Sequence, residues 1–305
     1  MGVGNAVNWP DQAGILIPEI WSPKLLVKYY RATVFAAISN TEYEGELKSY
    51  GDTVHIRNTP DVTINDYVKG QNLTYETLEP SNTDLVIDKA KTWSFACDDI
   101  DKFQSDIDYV NDWMDDAAQQ MKIAIDLNIL ANVYSDASSD NSGSTAGVIS
   151  GAFDMGATSA PLVLNKDNIV DALVAAGSVL DEQNVPETDR WAVLPAWAVG
   201  MLKTSDIKAV DTTGDSTSPL RNGMVGMIDR FTIYSSNQIA TTTDSGNTVW
   251  NAILGHKSAL TFASQLTKNE SLPNPNSFGY LHRGLQVYGY KVIKPEAMVH
   301  MYARA

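Results

Sequence analysis

A single cysteine, Cys97, stands in 305 residues, so the chain has no intrachain disulfide and no cysteine-built metal site. Set between Phe95 and Asp98, it is expected as a small core residue. Histidine is nearly as scarce. His55, His256, His282 and His300 sit on four different stretches without HExxH or HxH spacing, which removes the common zinc signatures. No serine lies in a GxSxG elbow, no GxxxxGK[ST] loop is present, and Gly2-Val3-Gly4 follows no strand. Catalysis and a bound cofactor therefore have no motif to rest on. Positive charge is short as well, with 22 Lys and Arg against 37 Asp and Glu and a net charge of −15. A nucleic-acid surface needs clustered Lys and Arg at phosphates, and no basic stripe occurs. No apolar run approaches the roughly 18 residues of a spanning helix, and no charged-then-apolar leader opens the chain. The expected compartment is a cytoplasm, with no membrane partner.

What is present is a globular composition, 44% hydrophobic, long enough for one large or two interleaved domains. Its most informative stretch is Gly51 to Tyr134. Val54 and Ile56 alternate with Thr53, His55 and Arg57, and the same period of two returns at Trp93, Phe95 and Cys97. These read as the two feet of a hairpin with a polar excursion between them. Roughly 15 residues a side at about 3.3 Å each would carry its tip some 50 Å out, whereas a compact body of this size has a radius of gyration near ~19 Å. An isolated two-stranded ribbon is marginal in water, so neighbouring copies of the chain are expected to cover it. The pattern is that of a lattice subunit.

Helix breakers are missing next: no Gly occurs from Gln71 to Asn141 and no Pro from Ser81 to Ala160. Ile107, Val110, Met114, Ala117, Met121 and Ala124 recur at three and four, which predicts one long helix over 105–134, about 45 Å in length. Ser22 as cap and Pro23 at the first helical position predict another over about 23–38, apolar around most of its surface. Ser135 to Gly147 is polar and small, with too little apolar surface to order itself. Asn165 to Gln183 carries Ile169, Leu173, Ala176 and Leu180 on one face. WAVLPAWAVGML reads as a buried strand broken at Pro195 into a short helix, and a further short helix is expected over 257–266. Asp211 to Gly223 is a surface loop, and Pro295 divides two final strand-like runs. Helices and strands mix without regular βαβ alternation, which gives an α+β class.

Eight aspartates, Asp98, Asp99, Asp101, Asp106, Asp108, Asp112, Asp115 and Asp116, crowd the start of the long helix. A divalent-metal hydrolase built on Asp106 and Asp108 is the sharp reading. The calcium-loop Gly and Glu are absent around them, and acidic first turns are favoured by the helix dipole alone. The seven tryptophans are scattered across elements, as core or subunit-contact residues are.

The order of these parts resembles the major capsid proteins of tailed bacteriophages, the Hong Kong 97-type fold. The likeness is carried by Trp21 to Ile38, by GDTVHIRNTP (Gly51 to Pro60), by Leu220 to Ile239 and by GLQVYGYKVIKPEAM (Gly284 to Met298). In the third segment similar coat proteins often have a Gly just before the Phe, where this chain has Asp229 and Arg230. The resemblance implies an N-terminal arm with a helix at 1–45 and an extended loop with its flanking strands at 46–97. It also implies a peripheral domain on the spine helix at 98–164, an axial domain at 165–270, and C-terminal strands returning to the peripheral domain at 271–305. Such chains assemble as hexamers and pentamers into an icosahedral shell around double-stranded DNA. The implied location is the virion, after assembly in a host bacterial cytoplasm. Expected contact residues between subunits are Tyr29, Tyr30, Val68, Lys69, Leu73, Tyr75 and Leu78. Lys69 also matches loosely the lysine that some relatives cross-link to an asparagine of another subunit. The arm begins almost at Met1, so a separate scaffolding protein is expected, with a portal and decoration proteins as further partners. A shell that encloses cargo protein, as encapsulins do, is the alternative within the same fold.

Overall fold

The computed structural model describes residues 30–31, 33–42, 53–60, 62–72, 75–80, 82–104, 109–205 and 226–305. The elements run α1 (Phe35–Ile38), β1 (Thr53–Arg57), β2 (Asn82–Val86), β3 (Lys89–Asp98), α2 (Asp99–Gln104), α3 (Tyr109–Leu130), β4 (Leu162–Val163) and α4 (Ile169–Glu182). There follow β5 (Arg190–Leu194), α5 (Ala196–Thr204), β6 (Met227–Ile228), β7 (Phe231–Ser235), β8 (Thr241–Asp244), β9 (Asn247–His256), β10 (Leu260–Pro273), β11 (Gly279–Val292) and β12 (Met298–Arg304). The class is α+β.

The larger sheet has the order β4-β12-β9-β5-β7-β6, with β8 also on β9. Its centre is β5, all five residues of which are buried, as an apolar run between a helix and a sheet requires. One face of it meets α4, whose Ile169, Leu173, Ala176 and Leu180 are all buried at the spacing the sequence predicts. A three-stranded antiparallel sheet, β10-β11-β3, packs beside α3. β10 and β11 hold register over almost their whole length, with one irregularity between Ser264 and Leu266. The last strand, β12, lies in the larger sheet against β9, while β10 and β11 lie in the smaller, so the closing segment serves both.

Asp229 and Arg230, at φ 44° and 66°, form the two-residue turn between β6 and β7. Positive φ at both central positions suits the twist of a tight hairpin, and aspartate tolerates it better than most residues. Arg230 is then held by Asp181 at 2.8 Å and Glu187 at 3.0 Å. Paired side chains stabilise the turn that glycine would make by freedom alone. At Gly156, φ 81°, an added Cβ would stand 2.0 Å from the Tyr302 carbonyl oxygen, so β12 passes too close for any side chain there.

Four expectations are corrected. β1 pairs with β2, Thr53 to Val86 through Arg57 to Asn82, and not with the Trp93-Phe95-Cys97 strand, which pairs with β11. The segment expected as a helix over 257–266 is a turn entering β10. Its Phe262 N–H donates to Asn40 and its ring packs on Phe35 at 5.1 Å, so a tertiary partner takes the backbone. Within the helix expected over 23–38, described residues 30, 31, 33 and 34 are not helical and only Phe35–Ile38 is. Ser135 to Gly147 is built of short 3-10 turns and is tied down by buried Asn141. Asn141 Nδ2 donates to the Glu296 and Met298 carbonyls at 2.7 and 3.0 Å, and its Oδ1 accepts from Gln183 at 3.1 Å. Hydrogen bonds replace the apolar surface that the segment lacks. The long helix is described over Tyr109–Leu130, about 33 Å. The loop expected at Asp211 to Gly223 lies outside the described residues.

Candidate assembly surface

The arm between β1 and β2 springs from a small core of Ile56, Leu85, Ile87 and Ala263, with Val54, Val287 and Ile293 packed against it. Gly289 on β11 permits this seating, because a Cβ there would lie 2.3 Å from the Val86 carbonyl oxygen. Across the root, His55 Nδ1 meets Asp84 at 2.6 Å and Asn58 donates to Thr83 at 3.1 Å.

Beyond Arg57 and Asn82 no ladder continues among the described residues. Glu76 ties the two legs by accepting from the Thr63 N–H and hydroxyl at 3.2 and 3.3 Å. The tip turns at Lys69-Gly70, with Gly70 at φ 91° and the Gln71 N–H donating to the Val68 carbonyl at 3.0 Å. With the root closed by β2 and not β3, roughly 11 residues remain on each side, and fully extended legs of that length would reach at most about 36 Å, less than expected.

The arm is apolar where it is most exposed. Ile64 is 89% and Tyr75 92% accessible, and Val62, Tyr67, Val68 and Leu78 are exposed with them. A monomer gains nothing from so many exposed apolar side chains on one arm; exposed apolar patches mark contact with another surface. Of the residues expected at subunit contacts, Val68, Lys69, Tyr75 and Leu78 all lie exposed on the arm. Tyr30 lies apart, its hydroxyl on Asp116 at 2.9 Å. Tyr29 and Leu73 lie outside the described residues. Val62, Ile64 and Tyr67 were not singled out from the sequence, although Val62 and Ile64 alternate with polar neighbours in a way that marks one face. A second exposed apolar group, Ile100, Phe103 and Phe278, gathers where the Asp99 N–H approaches the Phe278 carbonyl at 3.4 Å.

The aspartates do other work. Asp98 caps α2 by accepting from the Ile100 N–H at 2.9 Å, Asp116 takes Tyr30, and Asp112 and Asp115 face solvent. Asp106 and Asp108 lie outside the described residues. Among the described residues no three His, Cys, Asp or Glu side chains gather as metal ligands, and no helix is long and apolar enough to cross a membrane. Cys97 is buried. The histidines stand separately: His256 on Ser258 at 2.8 Å, His282 against the Phe95 ring, His300 on Asn251 at 3.0 Å.

Burial drives the His300 imidazole down to about 4. Its folded value lies below the ordinary value near ~6.5, so the unfolded chain binds the extra proton first. Stability from a neutral His300 is therefore complete above about pH 6.5 and is lost as pH falls toward 4, by about 3 kcal/mol. Urea titrations at pH 7 and pH 4.5 are expected to show this loss in the parent chain and to show less of it in His300→Gln.

No protein-family model and no curated protein matches the chain. Solved structures do. A structure from Mycobacterium phage Che8 superposes with a TM-score of 0.77 at 29% identity, over 93% of this chain and 96% of that one. The capsid of cyanophage P-SCSP1u gives 0.73 at 16% identity, over 95% and 93%. The mature capsid of bacteriophage PhiM1 gives 0.70 at 16%, over 98% and 97%. The chain has the phage capsid fold. Coverage near the full length on both sides leaves no large part of this capsid fold unmatched. The likeness to tailed-phage major capsid proteins noted in the sequence thus holds across nearly the whole chain.

Proposed function

We propose that this chain is the major capsid protein of a tailed phage. Copies self-assemble as hexamers and pentamers into an icosahedral shell around packaged double-stranded DNA, without chemistry of their own. The observation that carries this reading is the apolar arm, whose side chains find no cover within their own subunit. A neighbouring copy supplies the missing partner. On this reading the arm is the extended loop that lies over the next subunit. α3 with the β10-β11-β3 sheet is the peripheral domain, and α4 with the larger sheet is the axial domain that meets its copies at capsomer centres. The chain's acidity is no obstacle, since the shell encloses DNA rather than reading it. A scaffolding protein, a portal and decoration proteins are the further partners, and assembly takes place in the host cytoplasm. Lys69 stands at the exposed tip turn, where closure by Val68, Tyr75 and Leu78 is the simpler role than cross-linking.

Negative-stain electron microscopy of the purified chain, expressed with and without a scaffolding protein, tests the proposal. Closed shells or rings of five and six are expected. A clean monomer or dimer under both conditions would overturn it.

A further inference from the structure

The N-terminal strap, described at residues 30–31 and 33–42, lies beside α3. Two aspartates ten residues apart on that helix accept hydrogen bonds from it. The Tyr30 hydroxyl donates to Asp116 at 2.9 Å, and the Val34 and Phe35 N–H groups donate to Asp126 Oδ1 at 3.1 and 2.8 Å. The earlier strap residue meets the earlier aspartate and the later two meet the later one, so the strap runs alongside α3 in the same direction.

Asp126 does more than meet the strap. Its other oxygen accepts from Gln238 Nε2 at 2.8 Å, and Gln238 sits in the segment leaving β7, its own N–H on Ser236 Oγ at 3.1 Å. One carboxylate on α3 thus joins two other parts of the chain, 92 and 112 residues from it. Asp126 is fully buried and Gln238 is 1% exposed. Burial raises the carboxyl's pKa, and the two strap amides oppose that shift. A buried carboxylate satisfied by N–H donors is costly where an apolar side chain would pack. Buried polar groups in packed seams are best attested as devices that set register.

We propose that Asp126 is a clasp, which fixes the register of the N-terminal strap on α3 and keeps the strap closed over a body that folds without it. Other contacts seat the strap: Val34 and Ile38 are buried, Phe35 rests on Phe262, and the Asn40 backbone donates to the Leu260 carbonyl at 2.8 Å and accepts from the Phe262 N–H at 2.9 Å on β10. They hold the strap against the body, while among the described residues Asp126 is the group on α3 that accepts from the strap's backbone.

The test is amide hydrogen exchange on the full chain, comparing Asp126→Leu and Asp126→Asn with the parent. Losing two bonds to a charged acceptor is expected to speed exchange of residues 34–40 in Asp126→Leu by roughly tenfold to a hundredfold. Amides of β5, β9 and β12 should stay within about threefold. Asparagine keeps an acceptor at Oδ1, so Asp126→Asn should lie near the parent. Trypsin should also cut after Arg31 faster in the leucine variant. Asp126→Ala removes the acceptor without adding bulk and gives the same contrast if leucine does not fit. Unchanged protection of the strap, or loosening of the sheet as large as that of the strap, would overturn the clasp.

Discussion

Arg190→Met is expected to lower the unfolding free energy by about 3–5 kcal/mol, the range for removing one partner of a buried, hydrogen-bonded charge. Arg190 opens β5 at 1% exposure. Its Nε donates to the Pro186 carbonyl at 2.9 Å, Nη1 to Gly177 at 3.3 Å, and Nη2 to Val185 at 2.7 Å and to Asp181 at 2.6 Å. Three of these acceptors are backbone carbonyls, Gly177 within α4 and Val185 and Pro186 in the loop that follows it. One guanidinium therefore ties the helix to the loop into β5 and neutralises Asp181. Burial alone would raise Asp181, but Arg190 and Arg230 outweigh it and hold the carboxyl below its usual range. Methionine matches the stem and none of the bonds. Arg230, on the same carboxylate but a third exposed, supplies the contrast: Arg230→Met is expected to cost under about 1 kcal/mol. Urea unfolding of both variants checks the pair. An Arg190→Met midpoint within experimental error of the parent would mean that the carbonyls find other donors.

Arg190 also shows where sequence reading stops. The buried run of β5, the break at Pro195 and the stripe of α4 were all legible, because each is a local pattern of apolar residues. What Arg190 bonds to was not, since its partners are backbone carbonyls that only the fold assembles. The same limit explains the misplaced hairpin foot. β2 reads Asn82-Thr83-Asp84-Leu85-Val86 with only Leu85 buried, a weak signal beside the strong alternation of Trp93, Phe95 and Cys97. That alternation was real, but its partner is β11, almost 190 residues further on. Composition marked Ser135 to Gly147 as unable to order itself, and it has no way to report that Asn141 would find two carbonyls at the entry to β12. The arm was legible for the opposite reason. Apolar residues within a polar, helix-free excursion are visible in the sequence, and their exposure follows from the absence of anything local to cover them.

That exposure makes the last expected effect large and clean. Ile64→Ser, Val68→Ser and Tyr75→Ser together are expected to leave the folded subunit within about 0.5 kcal/mol of the parent, as surface changes away from packed features do. All three side chains are more than half accessible in the isolated chain. Assembly should behave differently. If a neighbouring copy buries them, each contributes roughly 1.5–3 kcal/mol, and even half of the summed value weakens a subunit contact by about fortyfold or more. A shell multiplies that loss over every copy of the contact, so particles should vanish at concentrations where the parent forms them. Sedimentation velocity with circular dichroism on the same samples separates the outcomes. A subunit with the parent spectrum and midpoint that sediments slowly places the arm at the contact. Particles of unchanged size would show instead that the arm stays uncovered in the assembly, and would move the contact to surfaces such as Ile100, Phe103 and Phe278, which are apolar and exposed at the other end of β3.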